Sequence, residues 1–132
     1  MTTELYWLTL TALMTALFWL PYVLDRMVAL GLPKTLAGAG PDVGAQSAWA
    51  QRAIRAHINA IENFAIFAAV VLTAHLLNIS NGLTRAAVVV YFFARLVHFV
   101  VYSAGIPAAR TLAFTAGWLA QIAIIASILH WI

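Results

Sequence analysis

Four apolar runs, each close to the ~20 residues a helix needs to cross hydrocarbon, decide most of what this 132-residue chain can fold into. They are Leu5 to Leu24, Asn63 to Ser80, Arg85 to Ala104 and Thr111 to Ile132. The first and last contain no Asp, Glu, Lys or Arg, and the third is interrupted by Arg95 and His98. A bilayer offers the backbone no water to bond, so an open sheet edge cannot face it and each run must be a helix. Composition agrees: 64% of residues are hydrophobic and 8% charged, against about a quarter charged in soluble domains. The expected fold is all-α, an integral membrane four-helix bundle in one domain, residues 1–132. Its helices are expected at about 3–28, 47–78, 83–104 and 108–131.

The first run lacks a basic leading region and a small-residue cleavage site, and it is too long for the apolar core of a signal peptide. It is expected to remain as a helix. Between helices one and two, "ALGLPKTLAGAGPDVGAQSA" has too many glycines and prolines to stay helical. "NISNG" is a tight turn, and Pro107 in "SAGIPAA" is placed to open helix four. Arg26, Lys34, Arg52, Arg55 and Arg110 lie at or near the first and third loops, and only Arg85 lies on the other side. Positively charged loops stay in the cytoplasm. Both termini are therefore expected outside it, and a net charge of +3 is too small and dispersed to imply nucleic acid.

The polar residues concentrate in "RAIRAHINAIENF", Arg52 to Phe64. At about 100° per residue, Arg52, Arg55, Asn59, Glu62 and Asn63 fall within roughly a third of the helix circumference. His57 points away from them and reads as a packing residue. A solvated helix end accounts for the arginines, whose long side chains reach the interface. It does not account for Glu62, a short carboxylate about two turns in, because an ionisable residue at that depth is a functional candidate by default. Tyr91, Arg95, His98 and Tyr102 form a second polar face on helix three, at spacings of four, three and four. Arg95 is too deep to reach the interface easily, and Glu62 is its natural counter-charge. Such a pair could be a purely structural tie. Arg110, with Thr111 and Phe114, opens helix four, where a lone arginine could serve only as a topology anchor. Gln121 and Ser127 read as helix–helix hydrogen-bonding residues.

Other chemistries find little support. His57, His75, His98 and His130 do not share a helical phase or depth, and there is no cysteine, so no metal site is expected. A Ser-His-Asp hydrolase fails because Asp25 and Asp42 lie beside or within the long first loop. Several cations, one carboxylate, amides and phenols at the cytoplasmic edge of apolar helices suit a small anionic or zwitterionic molecule. Arginine would bind its carboxylates as a fork. An apolar second substrate could enter from the bilayer.

"RAIRAHINAIENF", "ARLVHFVVY" and "IPAARTLAF", in that order and spacing, resemble the family of membrane-associated proteins in eicosanoid and glutathione metabolism (MAPEG). That family includes the microsomal glutathione transferases. The resemblance covers the whole chain and points to a bacterial-type member in the inner membrane. It implies a homotrimer with glutathione as co-substrate, bound between neighbouring subunits and open to the cytoplasm. It places Arg55, Asn59 and Glu62 on glutathione from helix two, Arg95, His98 and Tyr102 from helix three, and Arg26 from the end of helix one. Arg110 matches the catalytic arginine beside the sulfur. A cation near a thiol in a partly dry site favours the thiolate, which would attack a lipophilic electrophile. The implied activity is therefore a glutathione-dependent transferase or peroxidase. Two positions depart from the pattern: Ile58 follows His57 where several relatives carry arginines, and Thr111 stands where one branch has serine. Eicosanoid synthesis is not expected as the main task. The alternative from a different class is a non-catalytic accessory subunit that keeps the scaffold within a larger membrane complex.

Overall fold

A computed structural model of the chain describes residues 1–38 and 46–132. The described residues form helices α1 (Thr3–Leu17), α2 (Trp19–Leu30), α3 (Leu32–Leu36), α4 (Ala48–Leu76), α5 (Gly82–Ala104) and α6 (Pro107–Ile128), with no strand among them. The protein is an all-α integral membrane protein of the four-helix kind. Four helical segments are long and apolar enough to span: Thr3–Leu30, Ala48–Leu76, Gly82–Ala104 and Pro107–Ile128.

The first span is two helices because of Pro21. A proline has no N–H and its ring crowds the carbonyl four residues earlier, here that of Leu17. Helix α1 ends at that residue, and the Phe18 N–H turns to the Thr15 carbonyl at 3.3 Å. After α2, Gly31 takes φ +84° and breaks the helix, and α3 follows with Pro33 in its first turn. The long first loop thus carries one short helix. Asp42, considered above for a hydrolase, lies outside the described residues.

Helix α4 has 29 residues and spans about 43 Å at 1.5 Å per residue, against about 30 Å of hydrocarbon. The excess leaves its polar first turns at the bilayer edge. Its buried face is Ala50, Ala53, Ala56 and Ala60, then Phe67, Val71 and Ala74. Small residues let helix backbones approach closely where lipid offers no hydrophobic drive to pack. Helix α5 starts with a capping box. Asn81 Oδ1 accepts from the Leu83 and Thr84 amides, and Thr84 Oγ1 accepts from the Asn81 amide, each at 2.9 Å. It ends at Gly105, whose left-handed φ of +78° suits glycine.

Helices α5 and α6 make the most extensive pair, and α4 packs against both. One core cluster joins Leu8, Phe67, Val71, Tyr91 and Ile124. A second joins Met14, Phe18, Ala53, Ala56, Ala60 and Phe99. The rings of Phe67 and Tyr91 stack at 3.8 Å, and those of Phe18 and Phe99 at 4.0 Å. These contacts fix the rotations of α4 and α5, and so decide which polar residues face inward.

Candidate functional site

Tyr91, Arg95 and His98 are all buried, at 1%, 3% and 2% exposure, so the polar face of α5 does point inward. The Arg95 guanidinium donates from Nη2 to Asn59 Oδ1 on α4 at 2.6 Å. Asn59 is held in turn by Asn63, whose amide donates to the Asn59 carbonyl at 2.9 Å. Gln121 on α6 donates to the Asn63 carbonyl at 3.0 Å, which ties the third helix into the same network. Gly117 lies against it, and a Cβ there would be 3.5 Å from Arg95 Cδ, an ordinary contact.

This corrects one expectation from the sequence. Arg95 is matched with Asn59, and Glu62 forms no ion pair among the described residues. The reason is helical phase. On α4, Glu62 lies about 60° from Asn59, on the side away from the buried alanine stripe, and it is exposed. Arg55 is exposed on the same outward side. Two ionisable residues thus line a face that a single chain turns away from its own bundle.

Next to the Arg95–Asn59 bond, a cleft of about 200 Å³ is lined by Asn59, His98, Tyr102, Arg110, Thr111 and Phe114. The Arg110 guanidinium sits over the Tyr102 ring, 4.7 Å from its centre. Cation–π attraction of this kind keeps a charge in place without neutralising it. The His98 ring meets Tyr102 edge-on at 5.5 Å and lies 6.2 Å from Phe114. Thr111 Oγ1 donates to the Pro107 carbonyl at 3.1 Å, so its hydroxyl proton is engaged by its own helix. The cleft therefore presents a cation, an imidazole, a phenol and an amide against an apolar wall.

Five of the eight residues singled out from sequence, Asn59, Arg95, His98, Tyr102 and Arg110, come together here. The other three do not. Arg55 and Glu62 face outward. Arg26 is 7% exposed, and its Nη2 donates to the Gly38 carbonyl. It lines a separate cavity of about 470 Å³ with Tyr22, Val23, Thr35, Gly38, Gln46, Ile54 and Ile58.

Two neighbours of the polar segment have plain structural tasks. His57 Nδ1 bonds the Tyr22 hydroxyl at 2.8 Å and joins α4 to α2, which agrees with its reading as a packing residue. Arg52 Nε donates to the Ser103 carbonyl at 2.9 Å, at the end of α5 where carbonyls lack helical partners. Asp25 has a role that its sequence context did not reveal. Its carboxylate accepts from the Ser47 amide at 3.1 Å and from the Ser47 hydroxyl, anchoring the start of α4 to α2. Nothing local marks that contact, because its partners lie 22 residues apart. No group of three or more His, Cys, Asp or Glu residues able to hold a metal occurs among the described residues.

A family model described as the MAPEG family matches residues 5–130. No curated protein and no solved structure gives a match.

Proposed function

The chain belongs to the MAPEG family, and from that premise we propose that it is a membrane-bound, glutathione-dependent transferase or peroxidase acting on lipophilic electrophiles. The observation that carries this reading is Arg110, a cation held over Tyr102 at the mouth of a cleft that also contains His98 and Asn59. A thiol placed there would lose its proton more readily, because the charged form is stabilised by a nearby cation in a partly dry site. In transfer, the thiolate sulfur forms a C–S bond as the electrophile's leaving group departs with its bonding pair. In peroxide reduction it cleaves the O–O bond, releasing an alcohol and a glutathione sulfenic acid that a second glutathione converts to the disulfide and water. Either substrate reaches the cleft through the bilayer. Arg55, Asn59, Glu62, Arg95, His98, Tyr102 and Arg26 are assigned to holding the tripeptide, the arginines on its carboxylates and Glu62 on its ammonium.

The cleft of one chain measures about 200 Å³, below the roughly 300–1,000 Å³ of sites that enclose a drug-sized ligand. Arg55 and Glu62 lie outside it on the outward face of α4. An ionisable side chain within a span is expected to face protein or a watery cavity. Both observations favour an assembly in which a neighbouring copy brings Arg55 and Glu62 to the site, and the homotrimer is the assembly that family membership suggests. The proposed setting is a bacterial inner membrane, with the Arg110 end in the cytoplasm and both termini outside.

Calorimetric titration of the purified protein with glutathione, followed by conjugation and peroxide assays with and without it, tests the reading. Binding in the micromolar to millimolar range with glutathione-dependent turnover is expected. Absence of any glutathione binding would overturn it and leave the scaffold as an accessory subunit.

A further inference from the structure

The end of the bundle opposite Arg110 contains a second polar pocket, independent of the proposed glutathione site. It measures about 140 Å³ and is lined by Thr2, Glu4, His75, Asn78, Ile79 and Ser80. Its central feature is Glu4, only 4% exposed. One carboxylate oxygen accepts from the Thr84 hydroxyl at 2.7 Å. The other is buried and completes no hydrogen bond among the described residues, although the Ser80 hydroxyl and the Glu4 amide lie close enough to act on the carboxylate. Thr84 belongs to the capping box of α5, so the carboxylate is fixed by a rigid helix start. Burying a carboxylate with an idle oxygen is costly unless something donates to it. Arg85 is near enough for its charge to act on Glu4, yet it makes no ion pair with it among the described residues and remains exposed.

We propose that this pocket binds the primary ammonium of a zwitterionic phospholipid headgroup, with Glu4 as its counter-charge and Arg85 reaching the adjacent phosphate. Four observations converge on that ligand. The spans end here, at Thr3, Leu76 and Gly82, so the pocket lies at the level of the headgroups. A carboxylate accepts only, while Asn78 and Ser80 offer further oxygens, and an ammonium brings three N–H donors to such a set. The pocket is too small for a tripeptide, but an ammonium on a two-carbon stem fits. The neighbouring Leu76, Leu77 and Leu83 are exposed, which gives acyl chains a surface beside the mouth. A quaternary ammonium has no N–H to donate and should be rejected.

The test is lipid retention in mild detergent by native mass spectrometry, after reconstitution with equal amounts of ethanolamine and choline phospholipids of the same acyl chains. The wild-type protein is expected to retain the ethanolamine lipid at least ten-fold over the choline lipid, and Glu4→Gln to bring the ratio near one. Arg85→Gln should lower retention of both lipids, and none of these changes should alter glutathione affinity. Should Glu4→Gln fail to fold, Ser80→Val supplies the reading, since it narrows the pocket and removes a hydroxyl that acts on Glu4 while the Glu4–Thr84 bond remains, and it should also abolish the preference. Equal retention of both lipids by the wild type would overturn the proposal. So would a preference that survives in every folded variant, or binding of soluble phosphoethanolamine with no lipid preference at all.

Discussion

Asn59→Leu is the substitution that most directly probes how the site is built. Arg95 is 3% exposed, and Asn59 Oδ1, 2.6 Å from its Nη2, is its one hydrogen-bonded acceptor among the described residues. Its Nε is buried and already without a partner among the described residues. A hydrogen bond to a charged group contributes about 1.5–3 kcal/mol, and removing one side leaves the other to bear its desolvation. Asn59→Leu should therefore cost about 2–3 kcal/mol. Arg95→Leu keeps much of the aliphatic stem that packs near Gly117 and Tyr91, so its own loss should be smaller. Once Arg95 is gone, Asn59→Leu should cost far less. The resulting coupling in a double-mutant cycle is about 2 kcal/mol. The corresponding cycle with Glu62→Gln should give a coupling within about 0.5 kcal/mol of zero, the usual scatter for groups that share no contact. Reversible unfolding in mixed micelles, titrated with a denaturing detergent, measures all of these. A negligible Asn59–Arg95 coupling, or one above about 1.5 kcal/mol for Glu62–Arg95, would refute the assignment of partners.

Four other outcomes follow from the same geometry. Arg110→Leu should spare glutathione affinity but cut turnover and move the pH–rate profile upward, because thiolate would then form only near an unshifted thiol pKa of about 8.5; an unchanged profile in active protein would remove Arg110 from the chemistry. Gly105→Ala should destabilise by about 1 kcal/mol or more, as φ is +78° there and the new Cβ would lie 3.2 Å from the Arg52 guanidinium, whereas Gly117→Ala meets only ordinary contacts and should gain up to about 1 kcal/mol in helix propensity. Tags on either terminus should be reached by impermeant reagents in spheroplasts, where the outer membrane is opened and the inner one intact, and labelling that required rupture of the inner membrane would reverse the orientation. Native mass in mild detergent should correspond to three chains, and one or two would remove the assembly from the site.

The spans were legible because hydrocarbon thickness and backbone hydrogen bonding leave few options. The polar face of α5 was legible for a related reason: Tyr91, Arg95, His98 and Tyr102 repeat at helical spacing, and burying them leaves the apolar faces to lipid. The break at Phe18 has a local sign in Pro21, but a span read from hydropathy alone passes through it. Contacts such as Glu4 to Thr84, 80 residues apart, have no local sign at all. They exist because α1 packs beside α5, and that adjacency is set by which faces the apolar side chains bury.

Glu62 shows most clearly where reasoning from a single sequence falls short. Pairing it with Arg95 was sound electrostatics under a hidden assumption, that every charge in a span must be matched within its own bundle. The alanine stripe of α4 decides otherwise. Ala53, Ala56 and Ala60 pack inward so closely that they are at most 3% exposed, and this fixes the rotation of the helix. Asn59 then faces Arg95, and Glu62 is turned out. Small residues carry little signal in a hydropathy or charge pattern, yet here they choose which polar group meets the buried arginine. A carboxylate turned outward in a span is expected to face other protein or a watery cavity, and the proposed assembly supplies the first. The rotation imposed by three alanines is thus itself an argument for assembly: the same packing that denies Glu62 to Arg95 leaves it available to a neighbouring copy.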